Sequence, residues 1–123
     1  MNLEELLSQW AEVYKKELLS FWILLLLHRE EMYAYEMTAV IAEMSQETVI
    51  VDEKSVYRAL KRFEENQIIQ STLRKSDMGP PRRYFRLTNM GRALLIKFCQ
   101  RNILVFQEPI VAAAIETLIS SEK

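Results

Sequence analysis

The sequence is poor in the residues that punctuate a chain or react: two Gly, three Pro, one Cys and one His among 123 residues. So little Gly and Pro excludes a collagen-like repeat and a loop-rich or disordered chain, and a single cysteine excludes a disulfide scaffold. Cys99 stands near Ile96, Phe98 and Ile103, which reads as a small hydrophobe in a core, and a reducing cytoplasm is the expected compartment. One His and one Cys cannot form a metal cage without carboxylates, and no carboxylate spacing converges on them, so neither a metal nor a cofactor is expected. His28 follows Leu27 at the end of an apolar run, the ordinary place for a helix-terminal imidazole. Phosphate loops, nucleophile elbows and paired-carboxylate motifs are also missing, so the chain does not read as an enzyme. The most apolar stretch, Leu18 to Leu27, is ten residues long, half of the roughly 20 that span a bilayer. Glu4 and Glu5 occupy the place where a signal peptide carries positive charge. Neither a membrane span nor a targeting segment is expected.

What the sequence does hold is apolar patterning around an uneven charge. Half of the residues are apolar and 27% are charged, a composition and length that suit one globular domain. The formal net charge of -1 conceals an asymmetry: residues 1–53 hold eleven acids and three bases, residues 54–92 three acids and ten bases, and residues 93–123 three of each. A basic block confined to the middle of the chain points to a polyanionic partner for that block.

Periodicity orders the elements. Leu3, Leu6, Leu7, Trp10 and Val13 fall at helical spacing, and the apolar run from Leu18 to His28 continues them as two helices or one bent one. After a break at Glu30-Glu31-Met32, Tyr35, Met37, Val40, Ile41 and Met44 predict a second core helix over 33–44. Thr48 to Val51 is β-branched and suits a brief extended connection, and Asp52 is a good N-cap for a helix over 53–66. Two β-prone runs, 68–75 and 82–87, flank a tip containing Gly79, Pro80 and Pro81, which predicts a hairpin. Thr88 can cap a helix reaching Asn102, and Pro109 suits the first turn of a last helix ending at Ser120. The expected fold is mainly α with a small β-hairpin wing: a winged helix-turn-helix with extra N- and C-terminal helices for dimerisation. It is expected as one domain, with an N-terminal helix over 1–17, the winged core over 18–91 and dimerisation helices over 92–123.

The helix over 53–66 has two faces. Val56, Ala59, Leu60 and Phe63 share one side, while Lys54, Tyr57, Arg58 and Lys61 occupy an arc of about 100° on the other. A solvated surface helix usually mixes acids and bases, but here Glu64 and Glu65 wait until the last turn. Cations with a Tyr hydroxyl match what the major groove presents: phosphates for point charges and guanine edges for Arg or Lys donors. The hairpin adds Arg74 and Lys75 on one strand and Arg82 and Arg83 on the other, more cations than protection of an edge strand requires.

These residues carry a family resemblance. Ser55-Val56-Tyr57-Arg58-Ala59-Leu60-Lys61-Arg62-Phe63-Glu64, then Ile68-Ile69, then Gly79-Pro80-Pro81-Arg82-Arg83-Tyr84-Phe85-Arg86-Leu87-Thr88 with Gly91 resemble the signature of PadR-type transcriptional regulators. Tyr33-Ala34-Tyr35-Glu36-Met37 resembles their helix-2 motif, in which Gly more often holds the second place. This chain has Arg58 where the family usually has Pro, and Gln67 where Gly is common. The short C-terminal part and the extra N-terminal helix resemble a cyanobacterial branch that includes the clock-linked Pex proteins. The resemblance implies a dimeric repressor on a pseudopalindromic operator in double-stranded DNA, with helix 53–66 in the major groove and the wing, 68–87, on the backbone. It assigns DNA contacts to Ser55, Tyr57, Lys61, Arg82 and Arg83, with Tyr33 and Tyr35 near phosphates; Lys54, Arg58, Arg62, Arg74 and Lys75 complete the expected DNA-binding set.

Surplus apolar stripes at both ends suggest where a second copy packs. Leu3, Leu6, Leu7 and Trp10, with Val111, Ile115 and Leu118, are the expected homodimer interface. Trp10 and Trp22 leave room for a small-molecule inducer at that interface, although an aromatic stripe on an apolar helix is more often core. The alternative function is a protein-interaction module whose basic face meets an acidic partner.

Overall fold

The computed structural model describes residues 1–122. A single helix, α1 (Leu3–Arg29), opens the chain, its first turn capped by the Asn2 side chain, which accepts from the Glu5 amide at 2.8 Å. The choice between two helices and one is thus settled in favour of one, so the expected boundary between residues 17 and 18 falls inside an element. No breaker interrupts Lys15-Lys16-Glu17-Leu18, and what changes there is the surroundings: residues up to Tyr14 are exposed, whereas Ile23, Leu24, Leu26 and Leu27 are buried. At about 1.5 Å per residue the helix is roughly 40 Å long, and its first half stands clear of the core.

Two residues, Met32–Tyr33, form β1, an element too short for sequence periodicity to reveal. Helix α2 (Ala34–Met44) follows, with the Tyr33 amide donating to Glu36 Oε1 at 3.3 Å. Its C-terminus turns through Gln46 and Glu47 at positive φ, with the Glu47 amide returning to Ala42 O at 2.7 Å. Ser45 Oγ, buried, accepts from the Val49 amide at 3.0 Å and directs that fully buried valine into the core. This irregular turn at 45–47 precedes the brief non-helical connection that leads through Asp52, in extended backbone, to α3 (Glu53–Glu65).

Asp52 caps α3 as expected, accepting from the Ser55 amide at 2.8 Å. The Ser55 amide and hydroxyl, then the charges of Arg58 and Lys54, hold the Asp52 carboxyl below its ordinary range. Helix α3 closes on Gln67 at φ 60°, with Ile68 N donating to Phe63 O (2.8 Å) and Gln67 N to Glu64 O (3.0 Å), the double bond pattern of a left-handed helix stop. Strands β2 (Ile69–Arg74) and β3 (Arg82–Leu87) then form the hairpin in register Ile69↔Leu87 through Arg74↔Arg82. Strand β1 pairs with the other edge of β3 through Met32↔Phe85 and Tyr33↔Tyr84, giving a three-stranded antiparallel sheet in the order β1-β3-β2.

Helix α4 (Asn89–Phe98) is capped by Thr88 and ends four residues before the expected Asn102. The chain continues through a wide π-type turn, Cys99–Ile103, and a tight 3₁₀ turn, Leu104–Gln107. None of Cys99 to Ile103 is a local breaker, and Gln100, Arg101 and Asn102 are exposed. Helix α5 (Pro109–Ser120) begins on its proline as expected. The core lies where α1, α2, α3, α4 and β3 converge around Ile23, Met37, Ile41, Val56, Leu60 and Phe85. No single helix among the described residues is long and apolar enough to cross a membrane.

Candidate nucleic-acid interface

Burial on α3 divides as its sequence predicts. Val56, Ala59, Leu60 and Phe63 are buried, while Lys54, Tyr57, Arg58, Lys61 and Arg62 are exposed and Ser55 is partly so. Arg58 Nε donates one turn back to Lys54 O at 3.3 Å, laying the guanidinium along the helix. Among the described residues, Lys54, Lys61 and Arg62 have no ion-pair partner, so their charges face outward uncompensated.

The wing stands across a groove of about 850 Å³ from this face, lined by Tyr33, Tyr35, Tyr57, Lys61, Arg82 and Arg83 among others. The structure thus brings six of the twelve expected DNA-binding residues to one groove, which Lys54, Ser55, Arg58, Arg62, Arg74 and Lys75 do not line. Tyr33 is the hub. Its ring stacks on Tyr35 (6.4 Å between centroids, 7° between planes) and meets Tyr84 edge-on at 5.5 Å. Arg82 lies over the Tyr33 ring at 4.6 Å, and Arg74 over the Tyr84 ring at 4.5 Å. Arg74 and Arg82 face each other across the strands, a repulsive pairing of like charges; two aromatic seats separate them.

Not every wing cation is free. Arg74 is paired with Glu31. Arg83 Nη1 donates to Ser71 Oγ at 2.9 Å, and that hydroxyl donates to Glu64 Oε2 at 2.8 Å. Sequence reasoning missed both carboxylate partners, because Glu31 lies 43 positions from Arg74 and the Glu64 tie depends on strand register. Lys75 and Arg82 have no such partner among the described residues. At the tip, Ser76 Oγ lies 2.9–3.1 Å from the carbonyl oxygens of Met78, Gly79 and Pro80 and shares its one hydrogen among them. Gly79 adopts φ +99°, which an L side chain would resist.

The two ends of the chain are a separate surface. Trp10 is 77% exposed, Ile110 85% and Leu118 71%; Leu3, Leu6, Leu7 and Ile115 are also exposed, and Val111 is half-buried. Trp10 and Trp22 do not meet: twelve positions on one helix separate them by roughly 18 Å, and Trp22 packs against Phe21 on the core side. No cluster of three His, Cys, Asp or Glu side chains able to hold a metal ion occurs among the described residues.

A charged helix, an antiparallel wing and a capped turn between them define a winged helix-turn-helix, and comparison with known proteins gives it a family. The profile of the transcriptional regulator PadR-like family matches residues 23–97, more than half of the chain. The chain belongs to the PadR family. Among solved PadR-family structures, a PadR-like transcriptional regulator from Bacillus cereus is 29% identical and superposes with a TM-score of 0.65, over 87% of this chain and 96% of that one. Bacillus subtilis PadR, solved in complex with operator DNA, shares the fold at 21% identity and a TM-score of 0.64, over 69% of this chain. The match spans about half of that longer protein, 48%. A Lysinibacillus sphaericus protein, itself uncharacterised, is 27% identical over 73 residues, 59% of this chain and 67% of its own. The PadR family and these structural neighbours are transcriptional regulators rather than enzymes.

Proposed function

We propose that this PadR-family protein is a cytoplasmic repressor that binds a pseudopalindromic operator as a homodimer, with α3 in the major groove and the wing along the backbone. The observation that carries the reading is the placement of cations without ion-pair partners on two separate elements, Lys54, Lys61 and Arg62 on α3 and Lys75 and Arg82 on the wing, with Lys61 and Arg82 lining one groove between them. An acidic protein could be met by either element alone. A duplex needs both, one for base edges and one for phosphates. Tyr57 and Arg58 lie on the outward helix face for base and phosphate contacts, Ser55 sits at its edge, and Tyr33 and Tyr35 line the groove for the backbone. Arg74 and Arg83 act on DNA through the shape of the wing.

Surface area supports the dimer. A compact 14.5 kDa monomer exposes about 6,900 Å², whereas this chain exposes 9456 Å². The excess is of the size that obligate dimers bury, and it is apolar at α5 and the first half of α1. A two-fold axis through those stripes sets two α3 helices about one DNA turn apart, roughly 34–36 Å. An inducer would enter at this dimer contact, near Trp10.

The test is a salt titration of duplex binding. With on the order of four phosphate contacts per protomer, log K should fall with log salt at a slope of about -7 for the dimer. Lys61→Ala should reduce the slope by about 2, one contact from each protomer. A flat salt dependence would contradict a phosphate-binding face.

A further inference from the structure

Two carboxylates beside the basic residues of α3 and the wing are bonded to the wing. Glu31, between α1 and β1, holds Arg74, whose guanidinium also rests on the Tyr84 ring. Glu64, in the last turn of α3, holds Ser71 Oγ, which accepts in turn from Arg83. Resting on the DNA-binding reading of α3 and the wing, we propose that Glu31 and Glu64 are positioning residues that fix the wing against the recognition helix. Their negative charge raises affinity for specific DNA even though it lies beside phosphates.

The sheet explains why the wing needs fixing. Strand β1 pairs with β3 only at its middle, Tyr84 and Phe85, and leaves the tip side at Arg82 and Arg83 unsupported. Beyond that level the hairpin is a two-stranded ribbon, which twists more freely than a wider sheet. Its outermost ladder pair sets Arg74 opposite Arg82, a like-charge contact that works against the ribbon. Glu31 neutralises one member of the pair and draws it to the side of β1. Glu64 works from the other direction and makes the wing answer to α3 itself, so the two DNA-reading elements share one mechanical link.

Simple electrostatics predicts the opposite effect of these acids. A carboxylate about 10 Å from a phosphate weakens any duplex binding by at most about twofold in water, and salt screens that further. Neutralising it would therefore tighten specific and random DNA alike. Under the positioning account, neutralisation frees the wing and penalises only the duplex that demands a fixed wing angle.

The experiment compares Glu31→Gln, Glu64→Gln and the charge swap Glu31→Arg/Arg74→Glu with the wild type. Each is titrated against a duplex recovered by the wild-type protein from a random pool, and against a scrambled duplex. A second readout needs no DNA: spin labels at Met78→Cys and Glu65→Cys, in a Cys99→Ser background, report the distance from wing tip to recognition helix. Each single variant is expected to lose about five- to tenfold on the selected duplex with no loss on the scrambled one, and to broaden the distance distribution. The swap, which preserves net charge, should restore most of both. Thermal midpoints should barely move, because exposed ion pairs contribute little stability. Selected-duplex affinity that stays level or rises together with scrambled-duplex affinity would overturn the proposal, whatever the distances show. A wild-type protein that selects no duplex would overturn the DNA reading itself, and an unbroadened distance in the single variants would then overturn the positioning role as well.

Discussion

Gly91→Ala tests how the wing is joined to the helix behind it. A Cβ at Gly91 would stand 2.0 Å from Ile68 O, 3.0 Å from Ile68 C and 3.1 Å from its Cγ2. The first contact is more than 1 Å too short, and the atom met is backbone, so no rotamer change relieves it. The N-terminus of α4 must back away from the start of β2. That movement strains three short bonds: Thr88 Oγ1 to Gln67 O at 2.6 Å, Thr88 N to Ile68 O at 3.0 Å, and the capping bond from Gly91 N to Thr88 Oγ1 at 3.0 Å. Loss of a cap costs about 1 kcal/mol, and backbone overpacking about 1–3 kcal/mol. Against these stands a gain of up to about 1 kcal/mol from the higher helix propensity of Ala. The balance is a loss of about 1–3 kcal/mol. At roughly 4 °C per kcal/mol for a chain of this length, the midpoint falls by about 4–12 °C. Thermal melts followed by circular dichroism, at matched protein concentration so that dimer dissociation is held constant, read this directly. A Gly91→Ala protein melting within about 2 °C of wild type would refute the reasoning.

Gln67→Gly should stabilise the protein by about 1 kcal/mol, because Gln67 closes α3 at φ 60° where a Cβ is strained; a lower midpoint in urea would contradict this. Arg82→Ala should weaken binding to specific and random duplexes alike and leave the thermal midpoint nearly unchanged, since Arg82 sits over the Tyr33 ring with no ion-pair partner among the described residues. The Asp52 carboxyl is held below its ordinary range, so its contribution is present above about pH 4 and disappears as pH falls through its lowered value. The stability advantage of wild type over Asp52→Asn should therefore hold down to about pH 4 and shrink as pH falls further; a gap that stays constant into acid would show that the charge contributes nothing. Removing residues from 108 onward should give a monomer or an aggregate with little operator affinity, because one half-site binds far more weakly than two joined ones; a truncated chain that stays dimeric would leave only the first half of α1 as the interface.

The elements that position the candidate site were legible wherever local chemistry decides them. Asp52 marked the start of α3, the Gly-Pro-Pro tip marked the hairpin, and Pro109 marked α5, each within a residue or two of the observed bound. The apolar spacing of Val56, Leu60 and Phe63 also marked which side of α3 faces outward. What escaped depends on distant parts of the chain. Strand β1 exists because β3 has a free edge, and two residues carry no period of their own. The wing cations Arg74, Lys75, Arg82 and Arg83 looked alike in the sequence; only the strand register shows that Arg83 reaches Ser71, and only the fold shows that Arg74 reaches Glu31.

Operator binding by a dimer is tested most sharply by selection of bound duplexes from a random pool by the 123-residue protein at moderate salt, followed by sequencing. The account predicts enrichment of one motif with two-fold symmetry, its half-sites about one helical turn apart, and loss of that enrichment when Lys61 and Arg82 are both replaced by Ala. A pool that emerges without a motif, or with a single asymmetric site bound equally well by the double variant, would contradict it.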